Sequence, residues 1–402
     1  MKRYGYGLLG SLVFLMVVAP RLGAVPMVSV TSRHYVVQSD GNSADATLLS
    51  RELEVRFKHY NSIFHFNEDA LRRPLKVRAY TAQEDYDAYI SEHLGRTSSG
   101  AVYMHYNQPD RRELVIHRGS AEAERMFPHQ AFVQYLRAFI PQPPAWLREG
   151  FAIYFSTLYY ESIPSAALEE VEVPGDAAGG VIYEENLAWL ETVKDLGDKA
   201  PALESVFLAD VQGFPAYLQS VSWSLVSFFR DSNRSYYERI LYECFMLLSS
   251  TASSPANAEV LFRHILSWTD LETLEADYRM YLESRKTFAE LIIDGQQAYK
   301  DKDFPTAEAV FQQALRQRYT HYAPHYYLGL LAYDQKQYDL AERYYRSALQ
   351  YGADPALVAY AQGVNAASAG RNSEAIEFLE QAGAIAPAQY KDQTDLLIKR
   401  LR

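Results

Sequence analysis

Four columns of residues recur with a step of 34 over the last quarter of this 402-residue chain. Gly295, Gly329 and Gly363 form the first, and Ala307, Ala341 and Ala375 the second. Phe311, Tyr345 and Leu379 form the third, and Ala314, Ala348 and Ala382 the fourth. A fixed period of this length is the mark of stacked supersecondary units, none of which can bury its apolar face alone. Small residues let two helices of a unit approach closely, while the bulky column fills the space between them. The spacing predicts three helical hairpins over residues 286–387. Pro387 falls where the third hairpin should stop. Residues 388–402 read as a capping helix, with Leu396, Leu397 and Leu401 on one side and Lys391, Asp392, Lys399 and Arg400 on others.

These columns resemble the tetratricopeptide repeat (TPR) family, although the Trp and Pro of its ideal repeat are mostly absent. The resemblance implies an all-α solenoid with a groove that holds a protein or peptide partner. Tyr326, Tyr327, Tyr333, Tyr338 and Tyr344 give the middle hairpin an aromatic supply suited to peptide contacts. The competing reading makes several of them hairpin core.

The N-terminus reads as a signal peptide over residues 1–24. Lys2 and Arg3 precede an apolar stretch from Leu8 to Ala19, and small residues follow at Gly23 and Ala24. The stretch is about twelve residues, short of the roughly twenty that cross a bilayer as a helix, which favours cleavage over a retained anchor. An exported protein in the periplasm or cell envelope is expected, with no transmembrane segment after cleavage. The formal charge of -11 argues against nucleic acid as a partner. The single cysteine, Cys244, lies in an apolar run and reads as a buried thiol with no disulfide to make.

Residues 25–285 read as one α+β domain. His34 to Val37 and Leu75 to Tyr80 look like strands, and Ala44 to Phe64 has helical spacing through Leu48, Leu49, Leu53, Val55, Phe57 and Tyr60. Thr81 offers an N-cap for a helix ending near Gly95, and strands follow around Ala101 to Tyr106 and Glu113 to His117. Beyond residue 121 helices dominate, with loops expected at Glu169 to Gly180 and Ser249 to Ala256.

Two segments carry chemical information: Pro128-His129-Gln130-Ala131-Phe132-Val133 and Pro144-Ala145-Trp146-Leu147-Arg148-Glu149-Gly150. With the element order before them, and with Ser222 to Phe229 after them, they resemble the peptidase MA-like gluzincins, a group of zinc metallopeptidases. In that family a His-Glu-x-x-His helix supplies two zinc ligands and the general base, and a Trp-Leu-x-Glu-Gly helix supplies a third ligand. The resemblance implies a zincin-like fold, a small mixed sheet with helices, in which His129 matches the first ligand and Glu149 the third. Gln130 stands in the place of the base and Val133 in the place of the second His. An i,i+4 pair is needed for two side chains of one helix to reach one ion. An amide cannot accept the proton of a metal-bound water, and losing such a base costs about 10²- to 10⁴-fold in rate.

The expectation is a degenerate domain with no catalytic residue intact and no metal or other cofactor. An atypical zinc peptidase, its ion held by His129 and Glu149 with help from His59, His65, His105 or His117, is the alternative. Plain readings stand beside these: His129 as a core histidine on the apolar face with Phe132, Val133, Leu136 and Phe139, and Glu149 as a carboxylate near a helix start. Pro128 should begin or kink the helix at that point. The strand Leu114-Val115-Ile116 should still offer a free edge to an extended peptide. The function these readings favour is a non-catalytic binding or scaffolding protein, with self-assembly in the envelope as a further possibility.

Overall fold

Tight packing divides the chain between Gln142 and Pro143. The computed structural model describes residues 26–98, 100–160, 181–183, 187–210, 214–232 and 234–402. The expected signal peptide and the loop from Glu169 to Gly180 lie outside them.

The first unit holds β1 (Val28–Thr31), β2 (Tyr35–Ser39), α1 (Ser43–Phe64), β3 (Leu75–Tyr80), α2 (Gln83–Leu94), β4 (Ala101–Met104), β5 (Glu113–His117) and α3 (Ala121–Phe139). Its sheet has the order β1-β2-β3-β5-β4. The three inner strands β2, β3 and β5 run parallel, and the edge strands β1 and β4 pair antiparallel. The period-two alternation of a strand sends Tyr35, Val37, Val77, Ala79, Leu114 and Ile116 to buried positions. Helix α1 buries Leu49, Leu53, Phe57, Tyr60 and Phe64, four or three residues apart as one helical stripe requires. Aromatic rings lock α1 to α3: Phe57 meets Tyr135 edge-on at 5.2 Å between centroids, and Tyr60 meets Phe132 at 5.3 Å. Each such pair adds about 0.5–1.5 kcal/mol beyond its buried area.

Several local expectations are corrected. Helix α3 starts at Ala121, capped by Ser120, so Pro128 lies in its interior rather than at its start. Leu48 is exposed, because the buried stripe of α1 runs through Leu49 instead. Ala82, not Thr81, precedes α2, and it makes no side-chain cap; the Thr81 N–H is turned back to the Asp40 carboxylate at 2.8 Å. Strand β5 offers no free edge, since β3 and β4 pair with it on both sides.

The second unit begins with α4 (Ala145–Ser156) and an antiparallel pair of β6 (Leu158–Tyr160) with β7 (Val181–Tyr183), which the sequence reading missed. Then come α5 (Leu187–Leu196), α6 (Leu203–Phe207), α7 (Ala216–Asp231), α8 (Ser235–Leu247), α9 (Ser254–Trp268) and α10 (Leu271–Ser284). The expected loop at Ser249 to Ala256 is shorter, because Ser253 caps α9 through the Ala256 N–H. Helices α4 and α7 cross at Gly150. A Cβ there would stand 2.4 Å from the Ser222 carbonyl oxygen, so only glycine permits the approach. Trp146, Phe151, Trp223 and Phe229 are buried around this crossing. The motif of α4 and the later Ser222 to Phe229 segment are thus two sides of one contact.

Three helical hairpins complete the unit: α11 (Phe288–Lys300) with α12 (Phe304–Gln317), α13 (Tyr322–Asp334) with α14 (Tyr338–Gln350), and α15 (Pro355–Ser368) with α16 (Asn372–Ile385). Each begins with local chemistry the sequence supplies, such as the Thr287–Glu290 capping box of α11 and the Asp354 cap before Pro355. The Gly and bulky columns are one contact made three times. A Cβ would fall 2.6 Å from the Phe311 ring at Gly295, 2.5 Å from the Tyr345 ring at Gly329 and 2.7 Å from Leu379 at Gly363.

A fifth column emerges at the turns. Lys302, Lys336 and Gly370, again 34 apart, take positive φ of 60°, 60° and 77°. The N–H that follows each reaches back to the helix: Asp303 to Ala298, Gln337 to Ala332 and Arg371 to Ala366, at 2.8–2.9 Å. This left-handed closure satisfies carbonyls that the helix end would otherwise leave open.

The last helix, α17 (Pro387–Leu401), follows α16 directly. It buries Tyr390, Thr394 and Ile398, while Leu396 is exposed, so its covered face is not the predicted leucine side. Two ion pairs tie α5 to the first hairpin: Lys194 to Glu290 at 2.7 Å and Arg318 to Glu191 at 2.8 Å. The layout is a small mixed sheet with helices, then a helical region ending in a repeat.

Candidate functional site

Helix α3 carries His129, Gln130 and Val133 in the first unit; Glu149 lies on α4 in the second. The position four residues after His129 therefore brings an alkyl group, which has no atom to give a metal. Val133 is buried with Phe132 and Leu136.

Gln130 has a specific role in the fold. Its Oε1 accepts the Tyr103 N–H at 3.0 Å, and its Nε2 stands 3.3 Å from His129 Nδ1. Tyr103 is on β4, the edge of the sheet. The His117 N–H bonds the Gly100 carbonyl across the β4–β5 pair at 2.8 Å, and antiparallel alternation then turns the Tyr103 N–H to the outer side. Gln130 thus occupies the donor that an added strand would use. The Tyr103 hydroxyl, pushed up to about 12 by burial, keeps its proton at neutral pH and lies 3.4 Å from His105 Nδ1.

Glu149 is buried and paired with its neighbour: Arg148 donates to Oε1 through Nε at 2.7 Å, and another guanidinium nitrogen lies 2.7 Å away. Both contacts fall on Oε1, so an ion held through that oxygen would compete with the guanidinium. Among the described residues, no group of three or more His, Cys, Asp or Glu side chains is placed to hold a metal ion. Of the four motif positions, Val133 has no donor atom and Gln130 Oε1 is engaged by the Tyr103 N–H, which leaves His129 and Glu149 as the two with zinc-type donors. Cys244 is buried, and burial pushes its thiol up to about 12, so it lacks the thiolate that makes a nucleophile.

The repeat region places Tyr326, Tyr327, Tyr333, Tyr338 and Tyr344 at half-buried positions. Tyr327, Tyr333 and Tyr344 join neighbouring hairpins, whereas Tyr326 and Tyr338 make ring contacts within the middle one. Tyr327 stacks on Phe311 at 4.8 Å, and its hydroxyl accepts from Gln296 Nε2 at 2.8 Å. The Tyr344 hydroxyl accepts from Gln312 at 3.2 Å. Tyr333 meets Ser368 at 3.1 Å and its ring lies against that of Tyr338. Tyr326 sits beside Tyr345, and burial pushes its hydroxyl up to about 12.

Tyr299 was missed by the sequence reading, although it stands 34 residues before Tyr333. Its hydroxyl donates to Asp334 at 2.6 Å, which is the Tyr333–Ser368 contact one repeat earlier. The first helices of consecutive hairpins, α11, α13 and α15, are therefore joined by a row of tyrosine hydroxyls. No helix among the described residues is long and apolar enough to cross a membrane.

No protein-family model matches the chain, and no curated protein matches it. Among solved structures, the chain is similar to the TPR domain of Arabidopsis OM64, at 19% identity. The match covers 29% of this chain and 93% of that domain, with a TM-score of 0.27.

Proposed function

We propose that this chain is a non-catalytic polypeptide-binding protein whose C-terminal repeat is a TPR array and whose preceding α+β and helical region is a zincin-like domain without working chemistry. The observation that carries this reading is the repeated contact itself, three hairpins on one 34-residue step with α11, α13 and α15 linked through Tyr299, Tyr327 and Tyr333. These contacts hold the rings rigid along the first helices, and tyrosine is among the residues enriched at the energetic centres of interfaces. Gln130 at the place of the base and Val133 at the place of a ligand support the absence of catalysis. Export, by cleavage near Ala24 into the periplasm or envelope, is part of the proposal and rests on the N-terminal sequence.

The test is photo-crosslinking from position 333 in the native cell, followed by binding of the captured polypeptide to the purified chain. Binding that falls about tenfold or more in Tyr333→Ala, in a variant that keeps cooperative thermal unfolding, supports the array as the site. Capture of nothing but further copies of the chain would replace the proposal with self-assembly. Metal analysis addresses the enzymatic alternative: one tightly held zinc per chain, with chelator-sensitive cleavage of casein, would refute a non-catalytic domain.

A further inference from the structure

The sheet of the first unit has a second face, and one end of it is a recess of about 490 Å³. Val36 and Gln38 of β2, Lys76 and Arg78 of β3 and Glu113 of β5 form its floor, as the alternation of those strands requires. Arg73, Tyr106, Asp110, Arg111 and His93 stand around it. Four cationic side chains thus meet two carboxylates, in a chain whose formal charge is -11.

The two carboxylates are taken. Glu113 is buried, accepts from Arg78 Nε at 3.2 Å and also bonds the Tyr89 hydroxyl. Asp110 pairs with Arg73. Among the described residues, Lys76 and Arg111 have only neutral partners. The Lys76 ammonium donates to the Asp110 carbonyl oxygen at 2.7 Å, and the Arg111 guanidinium lies over the Tyr106 ring at 4.5 Å. His93 Nδ1 lies 2.9 Å from the Tyr89 carbonyl, which can only accept, so Nδ1 carries a hydrogen and Nε2 of the neutral ring is an acceptor with no hydrogen to offer an anion.

We propose that this recess is a binding site for a small organic ligand carrying two negative charges on oxygen. Two cations without a carboxylate partner among the described residues set the charge, and the volume lies in the range of small-molecule sites. Val36, Pro74 and the Tyr106 ring give the ligand's body an apolar wall. Lysine supplies a point charge and arginine a fork, a combination that suits a phosphate monoester or a dicarboxylate. The site is independent of the array.

The test is calorimetric titration of the whole chain with glycerol phosphate and, separately, with succinate. One of them saturates a single site at a Kd of about 1 mM or tighter, and added salt weakens it. Lys76→Gln and Arg111→Gln each weaken binding about tenfold, whereas Lys399→Gln leaves it unchanged. Saturation by glycerol phosphate alone assigns a phosphate ligand, and saturation by succinate alone a dicarboxylate. Lys76 and Arg111 are exposed, so both variants keep the fold, which circular dichroism checks. Failure of both probes to saturate, or binding that survives the double substitution, overturns the proposal and leaves an ordinary solvated face.

Discussion

Replacing Gly329 by alanine tests whether the 34-residue step is a packing rule. The added Cβ would lie 2.5 Å from Tyr345 Cε1 and 2.7 Å from Cδ1, against the 3.4 Å at which ordinary contact begins. The Tyr345 ring must retreat by about 0.9 Å. It is 1% exposed, with Ala332, Ala348 and Val358 in the same cluster and Tyr326 beside it, so there is no solvent side to move into. Forcing a methyl group into such a core costs about 1–3 kcal/mol. Alanine returns about 1 kcal/mol through its better helix propensity. The net is a loss of about 0–2 kcal/mol, or a fall in Tm of up to about 8 °C for a unit of this size.

The assay is thermal unfolding by circular dichroism, in the wild-type background and in Tyr345→Val. Valine lacks all three ring atoms that the new Cβ would meet. In that background the same Gly329→Ala substitution should stabilise, since only the propensity gain remains. A coupling of about 1–3 kcal/mol between the two positions is therefore expected. A rise in Tm on Gly329→Ala alone, or an equal cost in both backgrounds, refutes the reasoning.

Gly150→Ala should cost more than Gly329→Ala, about 2–4 kcal/mol, because the obstacle is the backbone carbonyl of Ser222 and not a side chain; chemical denaturation compares the two. Lys336→Gly should raise stability by about 0.5–1 kcal/mol, since position 336 holds a positive φ that the third hairpin gives to Gly370, and the reverse change Gly370→Ala should lower it. Lys194→Met should destabilise above the usual carboxylate range and matter little below it. Burial works against the charge of Glu290, but the Lys194 ammonium and the Thr287 cap outweigh it and hold the carboxyl below its ordinary value. A depressed carboxylate contributes stability that is present above its unfolded value and lost as pH falls through its folded one. The difference in Tm between wild type and variant should shrink between about pH 7 and about pH 3.

What the sequence made legible follows from how many residues share one cause. The repeat was readable because Gly295, Gly329 and Gly363 each answer a bulky partner sixteen residues on, so one contact writes itself three times. The turn column was not readable, because lysine fills two of its three positions and lysine does not advertise a left-handed backbone. Strand β3 was visible through alternation and β2 and β5 as short apolar runs, but neither pattern says anything about lateral order. Strand β5 therefore read as an edge when it is central. The sheet recess was hidden for the same reason: Lys76 and Arg78 alternate along β3 like any solvated face, and Arg73 and Arg111 reach them only through the turns.

Gln130 shows how the two kinds of information combine. From the sequence it is a departure from a zinc motif, a missing base. In the fold it is the acceptor for Tyr103, the outward N–H of an edge strand, and an unpaired edge donor invites another chain to pair with it. A glutamate at 130 would keep that acceptor, since a carboxylate oxygen also takes an N–H. Gln130→Glu is therefore compatible with the edge contact. Val133→His is different, because it places an imidazole where a buried alkyl group packs. Restoring the motif in both places at once would confound a failure to bind zinc with a failure to pack. Comparing Gln130→Glu alone, Val133→His alone and the pair separates these outcomes. Zinc uptake by the pair but by neither single variant would mean that α3 keeps the geometry of a metal helix and has lost only its ligands.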